Sequence, residues 1–517
     1  MEDAESPSPA RSATAETFVV CYGRNSNGEL GHKAANTSQT MQALPLPTPV
    51  RSVGAGLYHS FAVTAAGELF SWGAGSGGQL GVARADLQNP FGEAAGALVG
   101  HPKCVTGCGP TVVGAAGGRN MSLATTHSGD IYSWGRAASG QLGHGVATGP
   151  GATRRVTDYD LSEPRQVVAD TFSAKLTKFS AVAAGEHFAC AVTRAGEVYT
   201  WGCEANGQLG RSSKGYPAEP RALPRSVFGG EAVTVLACGW RHALACTAGG
   251  KLFSWGAGEC GQLGRGGRKD VAAPARVEAL DRERVERIAA GAHHSLATTA
   301  GGLVFAWGDN ASGQCGLAEG VGVPVKGVGV RAAAEGMSTA EAPAALRPHA
   351  LYSLLDNGPV VSLGAGAAHS VFVTGSGRLY ACGDGSYGQL CAEAELLNAS
   401  AGPEDGAPRV DATDAGSSPT RGTARLVPEP SLVPMAQAVV AAACGAYHTV
   451  LLMRAQVLAP LTAGGGVDTP ADDEGMRDLE PLSATLASHV SLGDARAAMA
   501  MDLEGTAAAV VSDDPLR

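Results

Sequence analysis

The chain has 517 residues, 44% of them hydrophobic and 5% aromatic, with a formal charge of −10. That charge is uneven: residues 455–517 hold eleven acids against Arg477, Arg496 and Arg517, residues 1–16 hold four acids against Arg11, and residues 17–454 are left near neutrality. A neutral body with two acidic ends excludes a broad electrostatic attraction to nucleic acid.

The first sixteen residues, "MEDAESPSPARSATAE", lack the charged-then-apolar pattern of a secretion signal. The longest apolar stretch, "AVVAAACGAYHTVLLM" (438–453), is too short to span a bilayer. The expectation is a soluble, monomeric, cytoplasmic protein, with the nucleus as a second location. Twelve cysteines in a long chain without a signal do not suggest a disulfide framework. Glycine, at 73 residues and without a period of three, implies many tight turns between short strands.

The first predicted strand, "TFVVCY" (17–22), runs into "YGRNSNGELG" (22–31). The same outline returns as "WGAGSGGQLG" (72–81), "WGRAASGQLG" (134–143), "WGCEANGQLG" (201–210), "WGAGECGQLG" (255–264), "WGDNASGQCG" (307–316) and "CGDGSYGQLC" (382–391). Glycines five apart resemble a phosphate loop, but such a loop needs Lys and then Ser or Thr after the second glycine. Every copy here has Gln or Glu instead, and seven copies in one chain indicate a repeat architecture.

Two further elements precede most copies. Thr-x-x-Gly begins at Thr64, Thr126, Thr193, Thr247, Thr299 and Thr374, with apolar β-formers on both sides, and reads as a hairpin turn. Ahead of it stands Gly-x-x-His: "GLYH" (56–59), "GWRH" (239–242), "GAHH" (291–294), "GAAH" (366–369) and "GAYH" (445–448), with Met121 and Phe188 replacing the histidine twice. Replacement by Met and Phe excludes a metal or catalytic role, and single histidines spread around a ring cannot converge on one ion. They are expected to be structural and to bond backbone.

The chain starts with a Trp-Gly half-repeat and ends with a Gly-x-x-His half-repeat, and the two halves make one unit. The predicted fold is therefore all-β: a seven-bladed β-propeller in which the N-terminal strands pair with the C-terminal blade. Trp72, Trp134, Trp201, Trp255 and Trp307 are predicted wedges between blades, with a looser contact at Cys382. The Trp-Gly elements are at least 50 residues apart, and the excess is assigned to loop insertions at 82–111, 144–178, 317–358 and 392–434. The domain reading is an acidic disordered tail at 1–16, the propeller at 17–454 and a mostly disordered acidic tail at 455–517. Ser-Pro pairs at Ser6, Ser8 and Ser418 are possible phosphorylation sites, and 482–505 could form a short amphipathic helix.

The combination Trp-Gly-x4-Gly-Gln-Leu-Gly, Gly-x-x-His-Ser and Thr-x-x-Gly over residues 18–453 resembles the regulator of chromosome condensation family. The resemblance implies a protein-interaction propeller. Its most concrete form is a regulator or guanine-nucleotide exchange factor for a small Ran-like GTPase, since the family's founder has that activity. It also leaves open an adaptor in trafficking, ciliary or ubiquitin pathways, and a chromatin-associated regulator. Chromatin docking in the founder uses a basic N-terminal tail, whereas residues 1–16 here are acidic. The plant photoreceptors of the family use several Gly-Trp-Arg-His repeats; only Gly239–His242 fits that pattern here. An exchange factor needs a wedge, which 82–111 or 144–178 could supply, and acids, which Asp309 and Asp384 could supply. Both aspartates are also suited to forming turns. The candidate partner-binding residues are thus Asp309, Asp384, Trp240 and Arg241, with no catalytic residue, metal or cofactor expected. Cys104 and Cys108 in "CVTGC" have too few neighbouring ligands for zinc.

Overall fold

The computed structural model describes residues 17–455, except 33–36, 48, 84–97, 110, 146–159, 170–171, 173–176, 212–217, 318–343 and 392–425. These residues form seven four-stranded antiparallel sheets. The innermost strands of blades 1 to 7 are Val50–Ala55, Val112–Gly117, Phe179–Ala184, Val233–Cys238, Val285–Ala290, Val360–Ala365 and Val439–Cys444.

Blade 7 is built from both ends of the described residues. Strand Thr17–Arg24 pairs with His448–Arg454 in unbroken register, from Thr17 opposite Arg454 to Gly23 opposite His448. Strand Thr37–Ala43 completes the sheet on the outside. Closure leaves no blade with a free side towards a missing neighbour, which matters because each sheet covers its apolar faces only with adjacent sheets. The second strand shows why: in His59–Thr64 and its equivalents in blades 2 to 6 every residue is buried, and in His448–Arg454 of blade 7 all but Arg454. Such strands are sandwiched on both faces, so they read as unbroken runs of apolar and hydroxyl residues rather than alternating ones.

The Thr-x-x-Gly element is the hairpin between the second and third strands, as its composition predicts. Thr64 Oγ1 accepts the Glu68 N–H at 3.1 Å, and the Gly67 N–H donates to the Thr64 carbonyl at 2.9 Å.

The outer strands mark a difference from the sequence reading. Leu98–Cys104, Leu161–Gln166, Ala344–Ala350 and Leu426–Val433 all fall inside stretches assigned to insertions. All four contain proline, and each pairs on one edge only. An edge strand tolerates proline and needs no apolar alternation, so it carries little periodic signal. The tails 1–16 and 456–517, the Ser-Pro pairs and the segment 482–505 lie outside the described residues.

Strand direction sorts the connections onto two ends of the ring. Gly-x-x-His hairpins and the loops from third to outer strand emerge at one end, hereafter the loop face. The Thr-x-x-Gly turns lie at the other end, together with Thr17 and Arg454.

Candidate protein-binding face

The blade seams position the loop face, and each is built from the repeated motifs. In the first full repeat the Gln79 Oε1 accepts the Gly77 N–H at 2.8 Å and folds the loop back on itself. Its main-chain carbonyl then accepts the Trp134 indole N–H at 2.9 Å and the Ser122 hydroxyl at 2.6 Å, both from blade 2. Glu29 does the same for Trp72 and Ser60 of blade 1, at 2.9 and 3.0 Å. Gln141, Gln208 and Gln262 receive Trp201, Trp255 and Trp307 at 2.9, 2.9 and 2.8 Å. The residue that rules out a phosphate loop is the one that joins blade to blade. All five tryptophans are fully buried. Gly81 makes room for one of them: at φ +67°, an added Cβ would stand 2.7 Å from Trp134 Nε1.

At the sixth place Cys382 is fully buried, and its Sγ lies 3.7 Å from the Gln314 carbonyl. The polar contact is longer than an indole makes, as expected. A Cβ on Gly316 would stand 3.3 Å from Cys382 Sγ and 3.0 Å from Pro430.

The histidines are structural, but their partner corrects the expectation of a backbone bond. His59 Nε2 lies 2.9 Å from Ser122 Oγ in the next blade. His242, His294 and His448 reach Ser295, Ser370 and Ser60 at the same 2.9 Å, and His369 reaches Thr449 at 3.2 Å. In the two blades that lack histidine, the next blade lacks the hydroxyl. Met121 packs in one cluster with Ala189, and Phe188 in another with Ala243. Ala189 and Ala243 face Trp201 and Trp255 across the hairpin, as Ser122 faces Trp134. Histidine and hydroxyl therefore come and go together. Burial drives the pKa of His59, His242, His294, His369 and His448 down to about 3, so all five are neutral. The motif glycine is demanded by the ring it underlies: a Cβ on Gly56 would sit 2.1 Å from His59 Cε1.

With the scaffold thus fixed, the two residues between Gly and His are free to vary at the mouth of the central channel. Backbone bonds link the hairpins around this mouth: Leu57 N–H to Gly118 O at 3.0 Å, Glu186 to Trp240 at 2.9 Å, Ala292 to Gly366 at 3.0 Å, Ala367 to Ala446 at 3.1 Å and Ala446 to Leu57 at 3.0 Å.

Two clusters stand out on this rim. On blades 2 to 4, Glu186 accepts from Arg119 Nη1 at 2.7 Å and from Arg241 Nε at 3.3 Å. The Glu186 side chain is buried at 8% exposure, while the two arginine side chains are about half exposed. Burial opposes the Glu186 charge, but the Arg119 hydrogen bond and the nearby His187 and Arg241 outweigh it and hold the carboxyl below its ordinary range. Arg136 lies 3.8 Å from Asp160 beside them. On blades 6 and 7, Arg24 Cζ is 5.6 Å from the ring centroids of both Tyr387 and Tyr447, which are 5.1 Å apart.

The residues singled out from sequence are all on this face, but not together. Arg241 belongs to the Glu186 cluster. Trp240 lines the channel and meets His293 edge-on at 5.4 Å, with no second tryptophan in contact among the described residues. Asp309 Oδ1 accepts the Ala311 N–H at 3.0 Å, and burial pushes its carboxyl up. Asp384 Oδ1 accepts the Ser386 N–H at 2.9 Å and also its hydroxyl. Both aspartates close their own turns. Sequence reasoning passed over Arg119, Glu186 and the tyrosine cluster. The available signal was charge at positions that are alanine in other copies. Among the described residues, no group of three His, Cys, Asp or Glu could hold a metal ion, and no helix is long and apolar enough to cross a membrane. Cys104 is exposed and Cys108 buried, both as free thiols.

Comparison with known proteins gives concordant matches. Residues 150–460 match the RCC1-like domain model, and residues 50–79 match the regulator of chromosome condensation (RCC1) repeat. The E3 ubiquitin-protein ligase HERC2 of Homo sapiens is 31% identical over 389 residues, 73% of this chain and 7% of the ligase. The ultraviolet-B receptor UVR8 of Arabidopsis thaliana is 32% identical over 309 residues, 59% of this chain and 63% of the receptor. The chain therefore spans less than two thirds of either relative. Among solved structures, Prp20p from Saccharomyces cerevisiae superposes with a TM-score of 0.64 at 21% identity, covering 86% of this chain and 93% of that one. Human WBSCR16 gives 0.64 at 20% identity, covering 85% and 99%.

Proposed function

Because the chain belongs to the RCC1-like family, we propose that its ring is a non-enzymatic protein-interaction platform whose loop face binds a protein partner. In its most concrete form it regulates a small Ran-like GTPase, as a nucleotide exchange factor. One observation carries the platform reading. The seven hairpins at the channel mouth share one backbone design, yet their two central residues range from Ala-Ala to Arg-Asn, Glu-His and Trp-Arg. Rigid hairpins presenting variable side chains suit recognition, as conserved scaffolds with variable loops do elsewhere.

The GTPase reading is supported by the shared fold with Prp20p, a protein described by its binding to Gsp1p and histones. Charge does not favour nucleic acid: among the described residues of this face, Arg24, Arg119, Arg136, Arg211, Arg241, Arg265, Arg268 and Lys269 are matched by Glu29, Asp160, Glu186, Glu204, Glu219, Glu259, Asp270, Asp309 and Asp384. The platform is read as a cytoplasmic or nuclear monomer. The test is capture of partners on the purified chain, identification of any GTPase among them, and measurement of labelled-GDP release. Faster release in the presence of the chain is the expected result. Unchanged release from every captured GTPase removes the exchange reading and leaves the adaptor.

A further inference from the structure

We propose that Arg119 and Arg241, held by the shared Glu186 carboxylate, form an anchor for the carboxylates of an acidic segment of a protein partner. This rests on the platform reading above and names the chemistry of its ligand.

The repeats supply an internal control. At the corresponding seams the hairpins of blades 1, 5, 6 and 7 join through backbone bonds from Leu57, Ala292, Ala367 and Ala446, with no charged residue between Gly and His. The fold therefore closes without an ion pair at this position. Blades 2, 3 and 4 nevertheless place Arg119, Glu186 and Arg241 there. One arginine would suffice to neutralise a buried carboxylate, and a second leaves an excess positive charge at the surface. Arg136, paired with Asp160 at 3.8 Å, adds to the same rim.

The donors are also unspent. Each guanidinium carries five N–H groups, and Glu186 engages Nη1 of Arg119 and Nε of Arg241. Both arginine side chains are about half exposed, and among the described residues neither guanidinium has a hydrogen-bond partner other than Glu186. Two forks oriented by one buried acid are preorganised for bidentate recognition of carboxylates. An acidic protein segment fits better than nucleic acid, because the cations form a compact group interleaved with Glu186 and Asp160 rather than a continuous basic track.

The experiment uses the full chain and a fluorescein-labelled hexaglutamate peptide, read by fluorescence anisotropy at low salt. The double substitution Arg119→Ala with Arg241→Ala should weaken binding about tenfold or more. Arg225→Ala with Arg284→Ala, away from the loop face, should leave it unchanged. Arg119→Lys with Arg241→Lys keeps the charge but not the fork, and should fall between. It also provides the test if the alanine pair fails to fold, in which case wild-type affinity in the lysine pair overturns the proposal. Equal losses in the two alanine pairs, or none in either, overturn it. So does tighter, Arg119- and Arg241-dependent binding of a labelled oligonucleotide of equal charge. If the wild type captures a partner that the double variant captures equally well, the anchor fails and the platform stands. If the peptide binds as expected but no partner is captured, the platform reading fails while the anchor stands.

Discussion

At the residue scale, the most informative unit is the histidine with the hydroxyl across the seam. His59 and Ser122 are both fully buried, so neither polar group has water as an alternative partner. The Ser122 hydroxyl donates to the Gln79 carbonyl, so His59 Nε2–H is the donor to Ser122, and losing Ser122 leaves that N–H unsatisfied at a cost of about 1–3 kcal/mol. Phe188 and Ala243 show that the chain accepts an apolar pair at the same place. Ser122→Ala should therefore destabilise the ring by about 1–3 kcal/mol. Adding His59→Phe should recover part of that loss, with a coupling of about 0.5–3 kcal/mol in urea unfolding. Strict additivity would mean that the 2.9 Å contact contributes nothing. Sequence showed that His59 was not a catalyst, since Met and Phe replace its equivalents. It did not show the partner, which lies 63 residues away.

At the element scale, the loop after each Trp-Gly does two jobs, turning the chain and receiving the next blade's tryptophan. Gly81 serves both, through its positive φ and its closeness to Trp134. Gly230 has φ +83° with nothing within 4 Å of its would-be Cβ, so it serves only a turn. Gly230→Ala should cost about 1 kcal/mol, from backbone strain alone. Gly81→Ala should cost about 2 kcal/mol or more, because the indole must also move. Thermal melting of the two variants checks the ordering, and equal shifts would deny the packing role. Cys391 takes this position with φ +51° in blade 6, where it packs in one cluster with Tyr22 rather than a tryptophan. The motif was legible in sequence because seven copies share it. The outer strands were not, since an edge strand imposes neither period nor composition.

At the scale of the whole molecule, the ring carries a collective acid sensitivity. Five histidines fall from an ordinary pKa of 6.5 to about 3 in the folded state. The unfolded chain binds their protons below about pH 6.5, whereas the folded ring does not. The stability tied to their neutrality is thus whole above pH 6.5 and is lost progressively as pH falls towards 3. The slope approaches about 7 kcal/mol per pH unit for the five together, against a typical total of about 5–15 kcal/mol. Tryptophan fluorescence should report cooperative unfolding between about pH 6 and pH 4. Replacing His59 and Ser122 by Phe and Ala should lower the proton uptake by about one. A ring that keeps its buried tryptophan signal at pH 3 would contradict this account.

The sequence alone determined the number of blades, the closure of the ring and the structural character of the Trp, Gln and Gly positions. Repetition makes these visible: a residue recurring seven times at one offset must answer a local geometric need. Only the tertiary structure decided which side chains meet across seams and at the channel mouth. Arg119, Glu186 and Arg241 are 55 to 67 residues apart in pairs that touch, and each occurs once, so no period announces them. Their meeting follows from the ring bringing equivalent hairpins side by side. It therefore became readable only when the blades were in place.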